Sequence, residues 1–194
     1  MRLPIFALLV VLASQVPAHA ENVIVLNSAD ASVSLIDEAT QKVVDTLAVG
    51  KEPHHLMATP DNQSLIVANS VGNNLVFLDP KTGKVQRWLE GIEDPYQLGF
   101  SNDRKWFVTN GLRLDRVDIY HYDGRNFTLA KRVPLAAMPS HMNFFPPTAK
   151  LFSSRCRSRA RSRQLTWRAR PCSGKCQWER RRPVSGSHRV TSTC

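Results

Sequence analysis

VGKEPHHLMATPDNQSLIVANS, residues 49–70, is the stretch that decides the fold, because its landmarks recur on both sides of it. Residues 24–65 set over 66–106 align at a spacing of 41 or 42. Ile24 falls on Ile66, Asn27 on Asn69, Ser28 on Ser70, Asp37 on Asp79, Thr40 on Thr82, Lys42 on Lys84, Pro53 on Pro95 and Asp61 on Asp103. A third copy opens at Phe107-Val108-Thr109-Asn110. It reaches Pro139-Ser140-His141-Met142, the counterpart of Pro53-His54-His55-Leu56 and Pro95-Tyr96-Gln97-Leu98. A fixed period near 40 residues marks a repeat architecture.

Within one period, four short runs rich in β-branched and apolar residues alternate with turn residues. In the clearest copy they cover residues 55–59, 65–69, 75–79 and 84–89. Pro60-Asp61-Asn62, Gly72-Asn73-Asn74, Pro80-Lys81-Thr82-Gly83 and residues 91–95 separate them, and such residues supply the backbone geometry of tight turns. Four short antiparallel strands per unit make one blade of a β-propeller. The expected fold is therefore all-β, a propeller of four-stranded antiparallel blades with a repeat of about 42 residues.

The repeat resembles the YVTN-type propeller repeat. The name-giving motif stands here as Trp106-Phe107-Val108-Thr109-Asn110 and, more loosely, as Leu65-Ile66-Val67-Ala68-Asn69. The V-G-x-x-P and P-D-x-x-x-L-x-V-A-N-S elements belong to the same pattern, and the resemblance covers residues 22–144. It implies a fold and not an activity, since propellers host many unrelated functions. It extends to the propeller domain of cytochrome nitrite reductases, where histidines near the channel contact a haem. No CxxCH haem-attachment motif occurs in this chain, and the resemblance leaves the cofactor unknown.

Taken in order, residues 1–20 read as a secretory leader: Arg2, an apolar run from Ile5 to Ala13, then Pro17 and the small-residue site Ala18-His19-Ala20. That run is too short to span a bilayer, and nothing after it is a candidate span, so the expected location is periplasmic or secreted. Residues 21–144 hold the blades. A partial blade has runs at 23–26, 33–37 and 43–47, two whole blades cover 53–94 and 95–138, and one strand of the next runs over 141–144. Closure needs at least four blades, so the ring is expected to be incomplete.

Residues 145–194 differ in kind. All four cysteines (Cys156, Cys172, Cys176, Cys194) lie there, with thirteen basic residues against the single acid Glu179. Before that point, thirteen basic residues face fifteen acidic ones, so the basic balance of the chain belongs to this tail. Three readings compete. An Arg/Ser run such as 155–163 would bind nucleic acid through phosphates. The cysteines would bind metal, although Cys172 and Cys176 enclose three residues and no second pair has ligand spacing. The third reading is that the tail is the repeat translated out of frame and left disordered. One synonymous codon choice, read one base to the left, yields a segment DLASATVLWKVPVGKTPAGVWVTPGDKHL that aligns without gaps on residues 37–65, with ten identities in 29 positions. This reading is preferred, which removes nucleic acid as an expected partner.

The loop entering each innermost strand lies at one end of the propeller channel. Equivalent positions there are His55, Gln97 and His141, with His54 and Tyr96 beside them. Convergence of such groups suits an anion, a metal or a cofactor edge; their plainer role is to line a solvated funnel. Asp37, Asp61, Asp79 and Asp103 are expected to form turns, Asn69 and Asn110 to satisfy backbone at strand ends, and Phe77, Trp88 and Trp106 to pack blades. No nucleophile elbow, phosphate-binding P-loop or H-E-x-x-H motif occurs, so no catalytic or metal-ligating residue is assigned. The expected function is a scaffold for an unknown small ligand or periplasmic protein at the channel mouth. The alternatives are a propeller lactonase or an accessory subunit of a redox- or haem-linked system.

Overall fold

The computed structural model describes residues 22–135, 138–144, 151–156, 163–170 and 177–181. The expected leader and Cys172, Cys176 and Cys194 lie outside these residues. What is described is strand and turn, in four antiparallel sheets. The first holds β1 (Asn22–Asn27), β2 (Ser32–Asp37) and β3 (Lys42–Ala48). The second holds β4 (Pro53–Ala58), β5 (Leu65–Asn69), β6 (Asn74–Leu78) and β7 (Val85–Glu90). The third holds β8 (Pro95–Phe100), β9 (Trp106–Gly111), β10 (Arg116–Tyr122) and β11 (Phe127–Pro134). Each sheet runs in chain order, the second and third from an innermost strand outward, as a meander of tight turns requires. The first lacks an innermost strand among the described residues.

The anticipated single strand of the fourth unit, β12 (Pro139–Phe144), does not stand alone. It pairs with β13 (Leu151–Cys156), then β14 (Arg163–Arg170) and β15 (Gln177–Arg181). Ladder bonds involve backbone groups alone, so strand pairing extends into the tail although its side chains differ from those of the other blades.

Turns carry the period. Left-handed backbone recurs at Ala31, Asn73 and Asp115 (φ 53°, 55° and 49°), at Asn62 and Arg104 (58° each), and at Glu52, Asp94 and Met138 (55°, 47° and 58°). The four aspartates act as expected. Asp37 and Asp79 accept bonds from the backbone N–H of Thr40 and Thr82, while Asp61 and Asp103 accept from Gln63 and Lys105. Gly50 has φ +103°, and a Cβ there would lie 2.5 Å from the Asn69 amide nitrogen, so the V-G element is a packing requirement.

Alternation along the strands sends one set of side chains to each neighbouring blade. Val33, Val49, Val67, Val76 and Leu78 close the junction of the first and second sheets. Ile66, Ala68, Leu75 and Phe77 meet Leu98, Phe107, Tyr120 and Tyr122 between the second and third. Val108, Val117, Ile119 and Val133 meet Met142 between the third and fourth. No core cluster joins the first sheet to the fourth among the described residues, and the ring is open. Phe77 and Trp106 pack as anticipated, and Trp88, 44% exposed on the outer strand β7, lays its ring against Gly50.

The register corrects one alignment. Pro53 lies opposite Asn69 and Pro95 opposite Gly111, so the uniform period across these two sheets is 42. Leu65 therefore corresponds to Phe107, and the two YVTN-like motifs are one residue out of step. Asn110 takes the place of Ala68, while Asn69 takes that of Gly111. Asn69 does satisfy backbone, donating from Nδ2 to the Val49 carbonyl. Asn110 does not: both its amide atoms are buried without a hydrogen-bond partner.

Candidate functional site

The three innermost strands β4, β8 and β12 begin alike. Each starts with proline, preceded by a left-handed residue (Glu52, Asp94, Met138), and each carries a β-bulge just after the proline. Left-handed backbone is costly for residues other than glycine and persists only where surroundings hold it. Here the Glu52 carbonyl accepts the Ser70 N–H at 3.0 Å. The Asp94 N–H bonds the Asn73 side chain at 2.9 Å, and the Met138 N–H bonds the Asp115 carboxylate at 2.7 Å. The bulged residues are His54, Tyr96 and Ser140. A bulge takes its residue out of the ladder and re-aims the side chain.

His54 and Tyr96 consequently meet across the blade junction. Their ring centroids lie 3.7 Å apart at 30°, and His54 Nδ1 is 3.1 Å from the Tyr96 carbonyl oxygen. Ser140 is buried, and its Oγ is 3.1 Å from His141 Nδ1. His55, Gln97 and His141 follow the bulges in equivalent places. Gln97 Oε1 accepts the Met142 N–H at 2.7 Å, tying the third blade to the fourth beside His141. His55 is half-buried. Burial pushes its imidazole below the usual value, and the nearby His54 and His141 push it the same way. All five residues expected at the channel mouth thus lie at the same end of adjacent innermost strands, with His54 and His141 exposed and the others half-buried.

Two features of this rim escaped the sequence. Arg113, in the turn between β9 and β10, reaches back over the second blade. Its backbone N–H and guanidinium both donate to Asp94, Nη1 lies 3.3 Å from Glu52, and Nη2 donates to the Ser70 carbonyl at 2.6 Å. The equivalent residue one period earlier is Val71, so the substitution of arginine for an exposed valine was the available signal. The second feature is Asn110, directly opposite Gln97 on the β8–β9 ladder. On β10, buried Asp118 pairs with Arg116 and Arg132, which also hold Glu93. Among the described residues no group of three His, Cys, Asp or Glu side chains is placed to hold a metal ion.

No curated protein matches the chain at a significant level. A putative 6-phosphogluconolactonase from Bacteroides fragilis is 13% identical with a TM-score of 0.66, over 87% of this chain and 56% of that one. The periplasmic gluconolactonase PpgL of Pseudomonas aeruginosa is 16% identical with a TM-score of 0.59, over 81% and 52%. Dihydro-heme d1 dehydrogenase NirN is 15% identical with a TM-score of 0.56, over 82% and 35%. At these identities the likeness is one of fold, and the chain spans about half the length of the solved propellers it matches. The YNCE-like β-propeller family model matches residues 5–165, and with four-stranded sheets repeating in that span the chain belongs to the YNCE-like β-propeller family.

Proposed function

We propose that this propeller is an exported ligand-binding scaffold whose site is the channel mouth at the start of β4, β8 and β12. The observation that carries the reading is the repeated bulge. Three adjacent innermost strands leave the ladder at the same position and turn His54, Tyr96 and Ser140 aside, with His55, Gln97 and His141 next in line. Bulges concentrate beside functional sites because they re-aim side chains without breaking the sheet. The apolar leader supports export, and one similar structure is of a periplasmic enzyme. A ligand screen by isothermal titration, repeated on His55→Ala and His141→Ala, tests the site: affinity should fall in both. Unchanged affinity in both variants would remove the channel mouth as the site.

A lactonase reading has one specific support, the names of two similar structures. It requires turnover that depends on His55 or His141, whereas a scaffold binds without turnover. Residues after Phe144 are best accounted for as an out-of-frame translation of the next blade, by the in-phase repeat hidden there. Sequencing the gene across codons 140–160 tests this, and an intact frame with the tail present by peptide mass would refute it.

A further inference from the structure

The first sheet leaves one face without a neighbour among the described residues, and the register shows which side chains line it. In the second sheet, Leu65, Val67, Val76 and Leu78 face back toward the first and close that junction. One period earlier those places belong to Val23, Val25, Ser34 and Ile36, paired in the same register on β1 and β2. Val67, Val76 and Leu78 have no exposed surface, whereas Val23 and Val25 stand 49% and 40% exposed. Val43, across from Ile36 on β3, carries the apolar row to the outer strand.

We propose that this face binds a second copy of the chain through the same face, as an isologous pair. What suits it to a copy of itself is its lack of charge. One row across the sheet is Val23, Ile36 and Val43, the next is Val25, Ser34 and Thr46, and the third is Asn27, Ser32 and Ala48. None of these ionises, so two identical faces meet without like-charge repulsion. The Asn27 Nδ2 group already donates to the Ser32 and Ser34 hydroxyls at 3.1 and 2.8 Å, so covering the face strands no donor there. The other end of the open ring is a poor match. Strands β13, β14 and β15 carry Arg155, Arg163, Arg168, Arg170, Arg180 and Arg181 against the single acid Glu179, and ionised groups are costly to bring against valines. Sheets pack face to face readily, and a twofold contact made by the same patch on both copies is the commonest way for like chains to associate.

The test is light scattering coupled to size exclusion on the full chain, loaded over a range of concentrations. A particle of twice the chain mass is expected, in exchange with monomer. Val25→Asp and Val25→Lys, checked for strand content by circular dichroism, should each weaken the pair at least about tenfold by setting like charges face to face. Mixing the two variants should restore it, because opposite charges then meet in one seam. Val85→Asp, at a site 39% exposed on the outer strand β7, should change nothing. Monomer at every concentration, assembly beyond two copies, or a mixture of folded variants that stays monomeric overturns the proposal. So does equal loss in Val85→Asp, or association that Val25→Asp strengthens and Val25→Lys weakens, since that pattern sets the face against the arginine-bearing fourth sheet.

Discussion

Truncating Phe107 to alanine should open a breach in the junction of the second and third blades. Its ring is completely buried. It packs 4.9 Å from Phe100 and 4.8 Å from Phe127, edge-on to the latter, and 6.1 Å from Tyr120. Removing a buried phenylalanine costs about 3–5 kcal/mol, from lost transfer energy and the cavity left behind. Oriented ring pairs add about 0.5–1.5 kcal/mol beyond area, so the upper half of that range is expected. With a urea slope of about 1–3 kcal/mol/M, the unfolding midpoint should fall by roughly 2 M. Such a loss rivals the whole stability of an ordinary domain, about 5–15 kcal/mol. The assay is urea unfolding followed by tryptophan fluorescence, with Val43→Ala as control because Val43 is 59% exposed on β3 and should shift stability by no more than about 0.5 kcal/mol. If Phe107→Ala moves the midpoint no further than Val43→Ala, the blades do not stack through this cluster.

Three further outcomes are expected. Arg113→Ala should destabilise by roughly 1–3 kcal/mol, because Asp94 stays buried while losing its guanidinium, and Arg113→Lys should recover only part; thermal unfolding of both variants measures it. His55 has a depressed pKa when folded, so the unfolded chain binds a proton more readily. Stability should therefore be full above the usual imidazole value and fall as pH drops through it toward the folded pKa, a slope that His55→Gln should flatten in melts at pH 5–8. Asp123 accepts bonds from the backbone and then the side chain of Asn126, which hold its carboxyl down to about 2. NMR titration should find its midpoint there and see it rise toward 3.8 in Asn126→Ala.

The fold was legible because turn chemistry repeats. Asp37 with Thr40 and Asp79 with Thr82 build the same turn from the same residues. The one-residue slip between the YVTN-like motifs was hidden because Leu65 to Asn69 and Trp106 to Asn110 are similarly apolar strings ending in asparagine. Only ladder partners separate Asn110, opposite Gln97, from Asn69, opposite Pro53. The mouth residues could be located by period, but not what they touch. The Gln97 bond to the Met142 N–H and the Arg113 contacts with Glu52 and Asp94 join residues on different blades, and no local pattern encodes them. Trp88 packs on one side only: its ring lies against Gly50 while the rest of it is exposed, and aromatic type alone does not tell how much of an outer-strand ring is covered.

The left-handed residues before each entry proline have a bearing on how such a chain can change. Glu52, Asp94 and Met138 share one backbone state although their side chains are an acid, an acid and a thioether. The conformation is enforced by bonds to the main chain at each, from Ser70, Asn73 and Asp115, rather than by the identity of the residue itself. The three blades entered through β4, β8 and β12 therefore carry the same socket at the same rim. An acid and a thioether already occupy it without changing the backbone state, so the side chains at this rim are free to differ from blade to blade while the strand entry is kept.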